Sequence, residues 1–174
     1  MRVRPYLPTD AEPLSRLYAR SIQAHAASDY SHEQRAAWAR LAPSAERLEA
    51  LMADGRRRFV AVEGETVVGF LDLEANGHIH LLYKAPEAEQ GVAASLLQAA
   101  EGACAREGVS RLFAEASEPA RRFLERHGFT TLQRRDLEVE GVAIHNYAVE
   151  KRLEGKDVYA RSSRERRQQR LPWR

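Results

Sequence analysis

The chain has 174 residues, 44% of them hydrophobic and 30% charged, with a formal net charge of +2. That length supports one domain with a substantial core and leaves little room for a second, and the apolar and charged fractions are those expected of a soluble protein. No apolar run approaches a membrane span, the opening Met-Arg-Val-Arg-Pro lacks the apolar stretch of a signal peptide, and the single Cys104 allows no internal disulfide, so a cytoplasmic protein without membrane contact is expected.

Arg2 to Tyr6 reads as a short first strand. Thr9 or Asp10 is placed to cap a helix whose Leu14, Leu17, Tyr18 and Ile22 recur at helical spacing. The chain turns polar and aromatic from His25 to Tyr30, and then Ser31 with Gln34 three residues later opens a second helix as a capping box. A third short helix is predicted from Ser44 to about Ala53, ending before Asp54-Gly55. Phe59 to Val62 and Thr66 to Glu74 form a hairpin about the Glu63-Gly64-Glu65 turn, and Asn76-Gly77 turns the chain into a further strand.

That further strand, His78-Ile-His-Leu-Leu-Tyr-Lys84, alternates His78, His80 and Leu82 against Ile79, Leu81 and Tyr83, and ends before Pro86. Val92, Leu96, Leu97 and Ala100 then recur at helical spacing after Gly91, where the backbone must turn tightly. Cys104 falls in this helix, which runs to Glu107, and reads as a core residue. The free amides and positive dipole end of a helix start suit a phosphate, and the small Gly91, Ala93 and Ala94 would allow its close approach; locally the same pattern also suits an ordinary turn. Arg111 to Ala116 gives the next strand, a helix follows Ser117, and Thr130 to Val139 and Val142 to Lys151 close the domain about Glu140-Gly141. The order predicts an α+β fold, an α/β sandwich with a mixed, mostly antiparallel central sheet flanked by helices.

Two segments together carry a resemblance. Gly91-Val92-Ala93, after a strand ending in Tyr-Lys-Ala-Pro, matches a Gln/Arg-x-x-Gly-x-Gly/Ala turn, while Ala120, Phe123, Gly128 and Phe129 match a later Asn-x-x-Ala-x-x-Phe-Tyr helix closed by Gly-Phe. In order and spacing the chain thus resembles the GNAT superfamily of acetyl-CoA-dependent N-acetyltransferases over roughly residues 1 to 152. The stretch from Ala27 to Trp38, with Tyr30-Ser31, Gln34 and Ala37-Trp38, is similar to the YafP-like branch.

The resemblance implies direct transfer of an acetyl group from acetyl-CoA to a primary amine of a small molecule or protein. By analogy with the family, the backbone of Leu82, Tyr83 and Lys84 would bond the pantetheine arm and acetyl carbonyl, and the amides of Gln90, Gly91, Val92, Ala93 and Ala94 would hold the pyrophosphate. His80 is the expected base, since an imidazole titrating near neutrality can take the amine proton, with Glu115 in reserve. His78 would share its face, and His25, Tyr30, His32 and Trp38 would stand along the acceptor cleft with it. For each of these the ordinary alternative is a packed or solvated side chain.

Three departures from the family pattern stand out. The tyrosine that reprotonates the leaving thiolate is replaced by Leu124, so His127, one turn later, is the candidate donor. Ser117 occupies the place of the usual asparagine and offers the pantetheine arm a hydroxyl instead. The phosphate loop is one residue short, with Glu87 and Glu89 where Gln or Arg is usual, and carboxylates oppose a pyrophosphate unless they are turned outward. A second reading follows from these departures: a GNAT-like binding or regulatory module with a degenerate donor site.

Residues 153 to 174 hold seven Lys or Arg against three Asp or Glu, a net of +4 that leaves the preceding 152 residues at −2. This basic tail is expected to be a solvated appendage or to pack on a second copy of the chain in a homodimer, with nucleic acid as the less favoured partner. The six histidines do not follow a zinc-motif spacing, so no metal is expected.

Overall fold

The computed structural model describes residues 1–153, and the basic tail beyond lies outside the described residues. Seven strands and five helices follow in the order β1 (Arg2–Pro5), α1 (Ala11–His25), α2 (His32–Ala39), α3 (Ala45–Leu51), β2 (Arg57–Glu63), β3 (Thr66–Leu73), β4 (Ile79–Lys84), α4 (Val92–Glu107), β5 (Arg111–Ala116), α5 (Glu118–Arg126), β6 (Thr130–Val139) and β7 (Val142–Arg152). Short 3-10 turns at Pro8–Asp10 and Met52–Asp54 lead into α1 and out of α3.

Strands β1 to β4 form one antiparallel sheet in sequence order, and β5, β7 and β6 form a second, also antiparallel. Among the described residues the two sheets are joined by a single parallel bridge, His78 to Phe113, at which the Phe113 amide donates to the Gly77 carbonyl at 3.1 Å. Beyond that bridge β4 and β5 run side by side without pairing. Gly77 makes the junction: its φ of +90° suits glycine alone, and a Cβ there would stand 2.0 Å from the Arg111 carbonyl oxygen.

Apolar side chains cover both faces of the first sheet. On one face Ala61, Val68 and Leu71 meet Val92, Leu96 and Ala100 of α4, and the same cluster continues into the second sheet through Leu112, Ala114 and Val149. On the other face Val60, Val62 and Phe70 meet Leu14, Leu17 and Tyr18 of α1 and Leu48 of α3. Close seating of α4 depends on Gly69, where a Cβ would lie 2.8 Å from Val92 Cγ1. Cys104 is 1% exposed in the first cluster, where burial pushes its thiol pKa up, as suits a core residue.

The helix starts follow the sequence closely. Ser31 accepts from the Gln34 amide at 3.2 Å while Gln34 Oε1 accepts from the Ser31 amide at 2.9 Å, completing the capping box. At α1 the expected cap differs: Asp10 accepts from the Leu7 amide at 2.8 Å and takes both guanidinium nitrogens of Arg4 at 2.7 and 2.8 Å. The preceding 3-10 turn carries Asp10 inward, where it locks β1 to the helix start instead of capping α1. A second buried pair joins Arg58 and Asp72, both with fully buried side chains, by two contacts at 2.5 and 2.7 Å, and Arg58 also donates to the Leu48 carbonyl.

Candidate active site

The parting of β4 and β5 opens a cavity of about 360 Å³, within the usual size range for small-molecule sites. Its walls come from Leu82 and Lys84 of β4, Ala114 and Ala116 of β5, Ile22 and His25 of α1, Trp38 of α2, Ala93 of α4 and Ala120 of α5. On the β3 side, the Ala85 amide donates to the Val68 carbonyl at 2.8 Å. The two-residue period of the ladder directs the Tyr83 backbone the same way, leaving the peptide groups of Leu82 and Lys84 facing the gap. Of the three positions expected to bond a pantetheine arm, Tyr83 therefore spends its backbone on β3. Its ring packs against Tyr18 at 4.4 Å and Phe70 at 5.8 Å, and burial raises its phenol well above the ordinary value.

Gly91 stands at the N-cap of α4 with φ +93°, a left-handed turn that exposes the first amides of the helix. Ala93 lines the cavity and Ala94 is half-buried, whereas Val92 turns its side chain into the core and offers only its amide. Gln90 and Glu89 are exposed on the loop before it. The Glu87 carboxylate is held by Arg20 of α1 at 2.7 and 2.8 Å, and that bond keeps it below the usual carboxylate range. One of the two acidic residues that departed from the family pattern is thus neutralised by a neighbouring helix.

His80 and Glu115 face the cavity from opposite strands. Burial and then the positive Arg56 hold His80 below the ordinary imidazole value, against the opposing pull of Glu74, so its free base predominates at neutral pH. His78 lies on the same face, its ring centroid 5.8 Å from that of His80, stacked on Phe113 at 5.0 Å. Its Nδ1 is 3.1 Å from Glu74 Oε2 and its Nε2 is 2.7 Å from Glu115 Oε2, so it is clasped behind the cavity wall and does not itself line the cavity. Arg135 holds the other oxygen of Glu115 at 3.2 Å.

The expected acceptor side chains divide. His25 and Trp38 line the cavity; the buried His25 Nε2 has no protein partner among the described residues, and burial followed by the Lys84 charge lowers its pKa. Tyr30 does not reach the cavity. It is 4% exposed, its ring meets Trp38 edge-on at 5.4 Å, and its hydroxyl accepts from the Glu118 amide and donates to the His145 carbonyl, each at 3.0 Å. Tyr30 ties the cleft wall to α5 and β7. His32, at the first turn of α2, is exposed and also stands outside the cavity lining.

Ser117 lines the cavity and caps α5, accepting from the Ala120 amide at 3.3 Å, which leaves its hydroxyl proton free to donate. Leu124 fills the wall where the resemblance implied a phenol. The structure does not bring His127 to that wall. The helix ends at Arg126 and the chain turns away at Gly128, φ +87°, while the His127 ring packs tilted against Phe123 at 4.3 Å with Nδ1 2.8 Å from the Phe123 carbonyl. Sequence reasoning missed Glu74, which reads as the last residue of a strand arm until the Asn76-Gly77 turn folds His78 and His80 back against it.

The acetyltransferase (GNAT) domain profile matches residues 26–151. The chain is 30% identical over 148 residues to the uncharacterized N-acetyltransferase YafP of Escherichia coli strain K12, covering 84% of this chain and 93% of that one. The GCN5-related N-acetyltransferase from Rhodopseudomonas palustris superposes with a TM-score of 0.81 at 31% identity, over 87% of this chain and 95% of that one. The PaiA N-acetyltransferase of Thermoplasma acidophilum, solved with coenzyme A, has the same fold at a TM-score of 0.68 and 22% identity, over 87% and 98% of the two chains. With a domain match over most of its length and two relatives at about 30% identity, the chain belongs to the GNAT family of acetyltransferases.

Proposed function

We propose that the chain moves an acetyl group from acetyl-CoA to a primary amine of a small molecule or protein by direct transfer between β4 and β5. The observation that carries this reading is the splay of those two strands, which leaves the Leu82 and Lys84 peptide groups facing a cavity that also holds His80 and opens beside the N-terminus of α4. An extended pantetheine arm can pair with a strand edge that has no protein partner, and a pyrophosphate can rest on the amides from Gly91 to Ala94.

In this arrangement the amine nitrogen attacks the thioester carbonyl, the carbon–sulfur bond breaks, and the thiolate leaves with the electron pair. A strand amide facing the gap stabilises the developing oxyanion, and His80 takes the proton lost by the amine. No phenol stands at Leu124, so the thiolate takes its proton from solvent, with the Ser117 hydroxyl as a hydrogen-bond donor in the cavity wall. The apolar Ile22 and Trp38 favour an acceptor amine carried on an apolar body.

Calorimetric titration of the full chain with acetyl-CoA, with acetyl-pantetheine as the donor lacking phosphates, tests the donor half. Saturable binding that weakens at least tenfold with the truncated donor is expected. Absence of heat and of thermal stabilisation at millimolar acetyl-CoA would favour the binding-module reading, for which Leu124 and the acidic loop are the observations in support.

A further inference from the structure

We propose that Glu74, His78 and His80 form a binding site for a divalent transition-metal ion of the zinc type, set in the wall behind the acceptor cavity. One ligand atom from each of the three lies within 4.8 Å of the others. The two histidines alternate along one strand edge and so project to one face, and the tight turn at Gly77 brings Glu74 opposite them. Glu74 divides its two oxygens between the rings, Oε2 standing 3.1 Å from His78 Nδ1 and Oε1 3.8 Å from His80 Nδ1. Ligands about 2.0–2.1 Å from a tetrahedral zinc lie about 3.4 Å from one another, so the cluster, whose ligand atoms lie within 4.8 Å of one another, closes on an ion by movements of up to about 1.4 Å.

A second observation goes beyond the proximity of three donors. The far nitrogen of His78, Nε2, lies 2.7 Å from Glu115, and Arg135 fixes that carboxylate from its other oxygen. A histidine whose outer nitrogen donates to an anchored carboxylate is oriented for metal ligation, with its inner nitrogen made more basic. Two histidines and one carboxylate make a three-ligand set, and because His80 lines the cavity the fourth position opens toward it.

Charge permits a cation here. Asp54, Asp72, Glu74 and Glu115 face Arg56, Arg58 and Arg135, four carboxylates against three guanidiniums. Arg56 touches Glu74 at 3.4 Å, yet it is anchored by Asp54 at 2.6 Å and reaches Asp72 at 3.4 Å, so the Glu74 oxygens are not its main partners. An ion held on His80 would also occupy the lone pair that the proposed base needs, a consequence that rests on the functional reading above.

The test is a titration of the full metal-free chain with Co²⁺, followed by its visible absorption, and with Zn²⁺ by calorimetry. One equivalent is expected to bind with the absorption of a nitrogen- and oxygen-ligated tetrahedral or five-coordinate cobalt. His78→Ala and His80→Ala are each expected to weaken binding at least tenfold, and Glu115→Gln, which keeps all three ligands, about tenfold. Absence of saturable binding at submillimolar metal, or binding by both histidine variants as tight as that of the parent chain, would overturn the proposal. Binding that needs both histidines but leaves amine-dependent thiol release unchanged would support the site and contradict His80 as the base, so the two failures are distinguishable.

Discussion

His78 Nε2 and Glu115 Oε2 are 2.7 Å apart, a side-chain bond that spans β4 and β5 at the point where their backbones separate. It sets the width of the gap from its closed end and holds Glu115 at the cavity wall. Replacing Glu115 with Ala should therefore lower amine-dependent transfer about 10- to 100-fold through misplaced reactants, with donor affinity little changed because the α4 amides are untouched. Steady-state kinetics paired with acetyl-CoA calorimetry separates the two; an equal fall in donor affinity would contradict this division of labour.

At the open end of the same gap, Gly91 has nothing within 4 Å of where a Cβ would stand, so a side chain there costs backbone strain without a clash. Gly91→Ala should cost about 1–2 kcal/mol for the left-handed conformation and leave donor binding within a few fold. Gly91→Glu should weaken acetyl-CoA at least tenfold more than Gly91→Ala does, because a carboxylate then faces the pyrophosphate amides. Equal donor affinity in the two variants would place the phosphates elsewhere.

The Arg58–Asp72 pair is a matter of stability. Asp72→Ala would leave a fully buried guanidinium without its carboxylate, and such changes cost about 3–5 kcal/mol. Urea unfolding should register that loss, whereas the exposed pair Arg16–Glu12 should contribute less than about 1 kcal/mol when broken.

Asp10 gives the fold a dependence on acid. Burial alone would raise its pKa, but the bonds from Arg4 and the Leu7 amide and the charge of Arg4 outweigh burial and lower it. A carboxyl depressed on folding contributes stability that is fully present above its unfolded value near 3.9 and is lost as pH falls through the folded value. Asp10→Asn should thus be less stable than the parent chain by about 2 kcal/mol at pH 7, with the gap closing below about pH 4. Urea midpoints at pH 7 and pH 3 check this, and a gap independent of pH would contradict it.

What could be read from the sequence was local. The Ser31–Gln34 box, the hairpin turn at Glu140-Gly141 and the Gly91 start of α4 each depend on residues a few positions apart, and each stands where the pattern put it. The alternation of His78 and His80 likewise placed both rings on one face. What escaped depends on distant partners. Tyr30 reads as a cleft aromatic until its hydroxyl is seen between Glu118 and His145, 88 and 115 residues away. Arg58 and Asp72 look like surface charges because nothing local announces that both face inward. His127 failed for a helical reason: three residues past Leu124 keeps the same face only while the helix continues, and α5 ends at Arg126.

Amine-dependent thiol release from acetyl-CoA decides whether His80 takes the proton in a transfer between the two parted strands. The full chain would be assayed against a panel of primary amines, with His80→Ala assayed beside it and donor affinity measured for both. At least one amine is expected to accelerate thiol release, with a loss of about 100-fold or more in His80→Ala and an acetyl-CoA affinity shared by the two proteins. Undiminished amine-dependent release by His80→Ala would contradict His80 as the base.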